Sequence, residues 1–180
     1  CAMDGNEDVK NDILTSLLIF IAGRMDIGVR LFPQYINVER AGKMRRHLRH
    51  PRVGGCGAWE LDGSVGSRSA AFPVPYKDGS QGHCYYSDET VSAKLRQALE
   101  SGMQPSAHAI GETAIDQLCN AYAEHELLIP SGGAMPRIDH FEFPSEKAIE
   151  TVKRLRLALT VQPGFSWVDK RYLKSYERFL

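Results

Sequence analysis

The sequence predicts an α/β protein of about five βα units with parallel strands, wound into an open sheet or an incomplete (β/α)8 barrel. Strand-like and helix-like apolar patterns alternate along its 180 residues, and this order favours parallel pairing through helical crossovers. Such crossovers are right-handed, which allows either form of winding. A complete barrel needs about 250 residues, so five units would form only part of one.

The first half of the chain contains two helix patterns and two strand patterns. Apolar residues at helical spacing predict a helix over 8–22, and a basic helix is expected over 38–48. Short apolar runs predict strands over 27–32 and 57–62. The expected buried stripe of the first helix is Val9, Ile13, Leu17, Leu18 and Ile21.

A long loop at about 63–87 separates these elements from the rest, and a loop of this length in a compact domain is often functional. Ser87 is the expected cap of the next helix, and Gly102 is expected to end it. A strand over 105–110 follows, and Gly111 opens another helix. The expected buried residues of the two helices are Val91, Leu95, Ala98, Leu99, Ala114, Ile115, Leu118, Cys119 and Tyr122.

The last part of the chain predicts two further units. A strand over 137–143 precedes a helix capped by Ser145, a strand over 157–162 is stopped by proline and glycine, and a last helix is expected over about 167–179. The expected buried stripe of the capped helix is Ala148, Ile149, Val152 and Leu155.

Composition excludes several classes of protein. Twenty-two basic and 22 acidic residues give a net charge of zero, which argues against a nucleic-acid partner. No apolar run reaches the roughly 18 residues that a membrane span needs. Four scattered cysteines form no disulfide framework and no zinc knuckle, so reduced thiols and a cytoplasmic location are expected. The chain opens at Cys1 and stops at Leu180 without a turn, so an internal piece of a longer protein is expected.

Two histidines lie where a parallel α/β fold places its chemistry, at the C-terminal ends of predicted strands. These are His108 and His140; neutral imidazole binds zinc well, although a hydrogen-bonded structural histidine would fit the same pattern. Asp62 ends another predicted strand and precedes a glycine-rich loop, where it could face a pocket or simply make a turn. The loop matches neither a P-loop nor a nucleophile elbow.

Four segments in order resemble one family. Residues 62–71 read DGSVGSRSAA, residues 108–116 read HAIGETAID, residues 137–140 read RIDH and residues 160–163 read TVQP. They resemble the motifs of the metal-dependent amidohydrolases of the YtcJ-like (amidohydrolase-3) group, which includes enzymes similar to N-substituted formamide deformylase. The resemblance implies that residues 1–180 are part of a single TIM-like amidohydrolase barrel domain, with the loop at 63–87.

The resemblance also implies a function and a cofactor. A small-molecule amide-type substrate would be hydrolysed at a carbon–nitrogen bond other than a peptide bond, through water activated by one or two divalent ions, usually zinc. His108 and His140 correspond to the family's metal ligands on neighbouring strands. The substrate contacts expected around them are Asp62, Arg68, Tyr76 and Gln162. A homodimer is compatible with this assignment.

The chain departs from the family pattern at several places. The family's His-x-His pair would lie before Cys1 and its general-base Asp beyond Leu180, so this piece alone is expected to be inactive. Ala58 stands where many members have a carbamylated lysine, and we hypothesise that Glu60 or Asp62 supplies the bridging carboxylate instead. A mononuclear site is the alternative.

Two other interpretations stay open at this stage. One is a degenerate barrel that has lost its metal and acts as a binding or regulatory protein, which is suggested by Ala58 and by the replacement of the family's Asp-Arg with Glu112-Thr113. The other is an unrelated flavodoxin-like sheet, in which both histidines would have ordinary structural roles. Strand order distinguishes the second interpretation from a barrel.

Overall fold

The computed structural model describes residues 58–164 continuously, together with 2–4, 13, 17, 20–21, 24–27, 31–33, 35–43 and 52–55. The helix predicted over 167–179 and most of the helix predicted over 8–22 therefore lie outside the described residues. No helix among the described residues is both long enough and apolar enough to cross a membrane.

Six strands and four α-helices have their bounds within the described residues, and residues 13, 17 and 20–21 are helical as well. The strands are β1 (Ala2–Asp4), β2 (Leu31–Pro33), β3 (Arg52–Gly54), β4 (Gln104–Ala109), β5 (Arg137–His140) and β6 (Ala158–Thr160). The helices are α1 (Val38–Lys43), α2 (Asp88–Glu100), α3 (Glu112–Glu124) and α4 (Glu146–Leu155), with a 3-10 turn at Glu126–Leu128.

Every strand pair among the described residues is parallel. β1 pairs with β2, and a four-stranded sheet runs in the order β3-β4-β5-β6. Helices α3 and α4 connect consecutive neighbours of this sheet, which is the order expected for part of a (β/α)8 barrel. The predicted incomplete barrel is confirmed, and the consecutive strand order differs from the reversed order of a flavodoxin-like sheet.

Apolar side chains on one face of each of the helices α2, α3 and α4 are buried in the core. The predicted stripes of α2 and α3 are buried as expected, and in α4 all predicted positions except the half-buried Ile149 are buried. The largest fully buried side chains of this core include Tyr35, Leu95, Ile115, Leu118, Tyr122 and Ile138. In the predicted first helix, by contrast, the described residues Ile13, Leu17 and Ile21 are exposed, contrary to the predicted buried stripe.

The strand predicted over 57–62 is wrong in position. The regular strand is β3, five residues earlier, and Gly54 and Gly55 follow it with φ angles of 85° and 107°. A Cβ on Gly54 would lie 2.2 Å from the Ser106 carbonyl oxygen, so only glycine permits this approach. The two glycines interrupt the strand, and the chain then rejoins β4 at Glu60, which forms an isolated parallel bridge with His108.

Serine caps fix the starts of two helices, as predicted. The Ser87 Oγ accepts the backbone N–H of Thr90 at 3.3 Å, and the Ser145 Oγ accepts that of Ala148 at 3.0 Å. Each bond satisfies an amide that has no partner within its own helix. At the other end of α2, Gly102 adopts φ 65°, which is a backbone conformation that glycine favours after a helix.

Replacing Ser87 with alanine is expected to lower the free energy of unfolding by about 1 kcal/mol, because the Thr90 amide loses its acceptor. Urea denaturation of the two proteins measures this difference. Ser131→Ala is the control, since Ser131 lies in an exposed loop and should change stability by less than about 0.5 kcal/mol. Equal midpoints for the Ser87 variant and the wild type would contradict the capping role.

Candidate functional site

The structure brings the two predicted histidines into contact. His108 is the next-to-last residue of β4 and His140 is the last residue of β5, and these strands are neighbours in the sheet. Their ring centroids lie 4.6 Å apart with an interplanar angle of 70°. Both imidazoles therefore lie together at the C-terminal edge of the sheet, where the reacting groups of parallel α/β proteins are found.

A change of backbone direction at the end of β5 makes this contact possible. The strand predicted over 137–143 ends instead at His140, where φ is 76°, and Phe141 follows with φ 54°. In the parallel register His108 lies opposite Asp139, so ordinary alternation would send the His140 side chain to the other face of the sheet. The left-handed conformation interrupts that alternation; for residues other than glycine it is uncommon and strained, and such strain often lies at functional sites.

The environment of His140 favours its neutral form. Burial lowers the pKa of His140 below its usual value, and repulsion from His108 lowers this pKa further. Glu142 Oε1 lies 3.7 Å from His140 Nδ1, and burial raises the pKa of the Glu142 carboxyl. Neutral imidazole is the form that binds metals. Sequence reasoning did not select Glu142 as a site residue, although its position two residues after His140 was a usable signal.

Asp62 occupies a buried position from which it joins the loop to the sheet. Its side chain is 0% exposed and accepts three backbone N–H bonds, from Ala71 at 2.9 Å, Ile110 at 3.0 Å and Gly111 at 2.8 Å. Gly111 is the N-cap of α3, so the carboxylate lies at the positive end of a helix. These donors compensate for the cost of burying a charge. Both oxygens are thus engaged by the backbone.

His108 is held mainly by its backbone. Its N–H donates to the Trp59 carbonyl at 2.8 Å, and its carbonyl accepts the Leu61 N–H at 3.0 Å. On the ring, Nδ1 is buried, lies 3.5 Å from Asp62 Oδ1 and makes no hydrogen bond within the part of the chain that the structure describes. The half-buried Glu60 lies opposite His108 in the isolated bridge.

The loop after Asp62 folds around its own small apolar cluster. Tyr76, predicted as a substrate contact, is buried there, and its hydroxyl donates to the Ala70 carbonyl at 3.0 Å. Arg68, the other predicted contact in this loop, adopts φ 59° and pairs with Asp78 at 2.5 Å while staying partly exposed. The members of this loop cluster are Val65, Ala70, Phe72, Tyr76 and Ile110.

Tyr76→Phe is expected to lower the free energy of unfolding by about 1 kcal/mol at neutral pH, because the Ala70 carbonyl loses its donor. Burial raises the pKa of Tyr76 from 10.0 to about 12. Folding therefore favours the protonated phenol, and this contribution is complete below pH 10 and is lost as the pH rises towards 12.

Denaturant titrations at several pH values between about 8 and 11 measure the difference in the free energy of unfolding between the wild type and Tyr76→Phe. The stability difference should shrink above about pH 10. Tyr85→Phe is the control, since Tyr85 is exposed. A difference that stays constant with pH would contradict the proposed state of Tyr76.

Gln162 also reaches the histidine pair. It follows β6 by two residues, and its Oε1 lies 3.0 Å from His140 Nδ1. Its Nε2 lies 3.5 Å from the Thr160 carbonyl oxygen. The structure therefore brings together His108, His140, Asp62 and Gln162, whereas Tyr76 and Arg68 belong to the loop around them.

A buried ionic network lies in the same two strands. Ser106 Oγ donates to Asp139 Oδ2 at 2.8 Å and accepts from Arg137 Nε at 2.9 Å. Arg137 Nε also lies 2.8 Å from Asp139 Oδ1. Sequence reasoning did not identify this network, because Ser106 lies on β4 and joins the Arg137–Asp139 pair of β5 only through the parallel register.

Two imidazoles at adjacent strand ends fit a divalent ion of the zinc type, because nitrogen ligands suit that ion and His108 Nδ1 is a buried acceptor or donor without a hydrogen bond. Within the described ranges, no three His, Cys, Asp or Glu side chains are grouped closely enough to hold a metal. The described residues therefore provide two metal ligands, His108 and His140, and a complete site would need further ligands.

The fold defines the chain as part of a TIM-type barrel, a class of proteins in which functional groups lie at the C-terminal strand ends. The chain belongs to the amidohydrolase family, whose sequence model matches residues 37–179. Over 117 residues it is 35% identical to the putative amidohydrolase YtcJ of Bacillus subtilis (strain 168), a match that covers 61% of this chain and 22% of that protein. The predicted family is confirmed; the narrower likeness to formamide deformylase stays a prediction.

Two solved structures share the fold. An uncharacterized metal-dependent hydrolase from Pyrococcus furiosus matches 88% of this chain with a TM-score of 0.63. A second, from Pyrococcus horikoshii OT3, matches 91% with a TM-score of 0.64, and both are 24% identical to this chain. The matches cover 34% and 33% of those chains, so this chain spans about a third or less of the proteins that it resembles.

Proposed function

We propose that the full-length protein is a metal-dependent hydrolase that cleaves a carbon–nitrogen bond, other than a peptide bond, in a small amide-like molecule. The observation that carries this proposal is the contact between the His108 and His140 rings, 4.6 Å apart at neighbouring strand ends. Membership of the amidohydrolase family supports the same reaction class. A metal in this place also agrees with the names of the two structural neighbours.

In this proposal His108 and His140 hold a divalent ion, and zinc suits two imidazole ligands. Such an ion acidifies water and polarises a carbonyl group when it is bound. The remaining ligands and the general base would come from the family's His-x-His pair and strand-end Asp, outside this chain. Of the two carboxylates considered as bridging ligands, Glu60 is the better candidate, because both oxygens of Asp62 accept backbone N–H bonds.

The other residues of the site would position the loop and contact the substrate. Asp62 holds the loop against the end of β4, and the buried Tyr76 supports the loop from inside. Arg68, which is partly exposed and pairs with Asp78, would contact a polar group of the substrate. Half-buried Glu142 lies beside His140 and would contribute negative charge next to this ring.

The test uses the full-length protein with His108→Asn and His140→Asn, and His83→Asn as the matched control on an exposed loop residue. Bound metal is counted by elemental analysis, and hydrolysis is followed on a panel of small amides and N-formyl amines. Both site variants should lose metal and activity while the control keeps them, and chelation should abolish wild-type activity. Undiminished metal content in both site variants would refute the assignment.

A binding or regulatory protein without metal is the second candidate, and Ala58 favours it. This residue stands at the lysine position of the family pattern and lies in the buried apolar core beside Trp59. The same elemental analysis decides between the two candidates, because a folded full-length protein that takes up no zinc and hydrolyses none of the amides would contradict the hydrolase and favour the second candidate.

A further inference from the structure

The amide of Gln162 has a defined orientation. Its Nε2 faces the Thr160 carbonyl oxygen at 3.5 Å, and a carbonyl accepts only from a donor, so the amide nitrogen lies on that side. Its Oε1 therefore faces His140 Nδ1, at 3.0 Å. Because an amide oxygen only accepts, His140 Nδ1 must carry the proton of this hydrogen bond.

We propose that Gln162 is a positioning residue that holds neutral His140 in the Nδ1–H tautomer, so that its Nε2 lone pair is available to the metal. This inference rests on the proposed function. It assigns Gln162 to the histidine rather than to the substrate, because both ends of its amide face groups of this chain. Metal-binding histidines commonly donate their second ring N–H to such an acceptor, which fixes both tautomer and ring orientation.

The surrounding backbone explains why a side-chain acceptor is needed to orient the His140 ring. Pro163 follows Gln162 and favours an extended conformation for it, and Thr160, two residues before Gln162, pairs with Asp139 beside His140. His140 itself lies in a left-handed conformation, so regular strand geometry does not determine its ring orientation. A side-chain acceptor supplies that constraint.

A second acceptor lies on the same side of the ring. Glu142 Oε1 is 3.7 Å from the same Nδ1 atom, farther than an ordinary hydrogen bond. Both neighbours of Nδ1 are thus acceptors, and the closer one is Gln162. The His140 ring also makes a T-shaped contact with the His108 ring, at a centroid distance of 4.6 Å.

The experiment measures the tautomer directly in full-length protein labelled with 15N-histidine, without metal and at a pH where the imidazoles are neutral. Long-range 1H–15N spectra distinguish a protonated, pyrrole-type ring nitrogen from a pyridine-type one, and His140→Asn assigns the His140 signals. The variants are Gln162→Leu, which removes the acceptor, and Gln162→Glu, which retains one. Gln117→Leu is the matched control, since that amide bonds to Tyr86 and Asp88 away from the histidines.

In the wild type, His140 should show a protonated Nδ1 and a pyridine-type Nε2. Gln162→Leu should shift the population towards Nε2–H and weaken zinc binding about 10- to 100-fold, whereas Gln162→Glu should restore the Nδ1–H tautomer and Gln117→Leu should leave it unchanged. An Nε2–H tautomer in the wild type, or an unchanged tautomer in a folded Gln162→Leu variant, would overturn the proposal. Zinc loss in His140→Asn tests the proposed function separately, since the tautomer is measured without metal.

Discussion

Asp62→Ala is expected to lower the free energy of unfolding by about 3–5 kcal/mol, because it leaves three buried amides without an acceptor. Each unsatisfied buried donor costs about 1–3 kcal/mol, and some of that cost is recovered if water enters. The amides belong to Ala71 in the loop and to Ile110 and Gly111 at the start of α3. The loop should therefore separate from the strand end that carries His108.

Asp62→Asn should give an intermediate loss of about 1–3 kcal/mol. If its oxygen takes the place of Oδ2, it still accepts from Ala71 and Gly111, while its NH2 group opposes the Ile110 N–H. Denaturant titration measures both variants, and hydrogen exchange of the three amides shows where protection is lost. Asp78→Ala is the control within the same loop, since that exposed carboxylate bonds only near the surface.

Equal stability of Asp62→Ala and the wild type, or faster exchange spread over α2 as much as over the three amides, would contradict this role for Asp62. The result would also bear on the hypothesis that Asp62 bridges two metals. If Asp62 acts by accepting the three amide hydrogen bonds, its replacement lowers stability even without metal. If Asp62 acts only as a metal ligand, its replacement lowers stability mainly when metal is present.

The helices and their ends were predictable because local signals determine them. Ser87 and Ser145 cap helices as expected, and the apolar spacing of α2 and α3 matches their buried faces. The strand at β3 was missed since Gly54 and Gly55 give no apolar pattern, and their positive φ angles depend on the close approach of β4. The position of a short strand depends on partner strands far along the chain, so local sequence patterns predict it less well.

The candidate site was predictable only in outline. A parallel sheet places strand ends together, which is why His108 and His140 could be expected to converge. The left-handed backbone at His140 could not be expected, because a histidine rarely adopts it. The three amides around Asp62 come from residues 9, 48 and 49 positions away, and no local pattern specifies such contacts. The same holds for the pairing of Gln162 with His140.

Breaking the buried network of Arg137, Asp139 and Ser106 should have an effect as large as that of Asp62→Ala. Arg137→Met leaves the Asp139 carboxylate, which is 1% exposed, without its cation. Removing one partner of a buried ion pair typically costs about 3–5 kcal/mol, because the remaining charge stays desolvated and uncompensated. Asp139→Leu should also be destabilising, because it removes the carboxylate that pairs with the buried Arg137 guanidinium.

The double variant Arg137→Met/Asp139→Leu separates the cost of a lone charge from the value of the pair. It buries no unpaired charge, so it should be more stable than the sum of the single changes predicts, by about 2–3 kcal/mol. The exposed pair of Arg96 and Glu100 on α2 is the control cycle, in which the changes should be nearly additive. Additive losses in the buried cycle would show that the two side chains act independently.

Zinc titration of the same variants in the full-length protein connects the network to the site. Asp139 precedes His140 and lies opposite His108 in the parallel register, so a displaced Asp139 changes the separation of the two rings. The single variants should therefore bind zinc more weakly than the double variant, which keeps the strands together without burying an unpaired charge. Equal zinc affinity in a folded Arg137→Met variant and the wild type would mean that the network stabilises the barrel without setting the distance between the histidines.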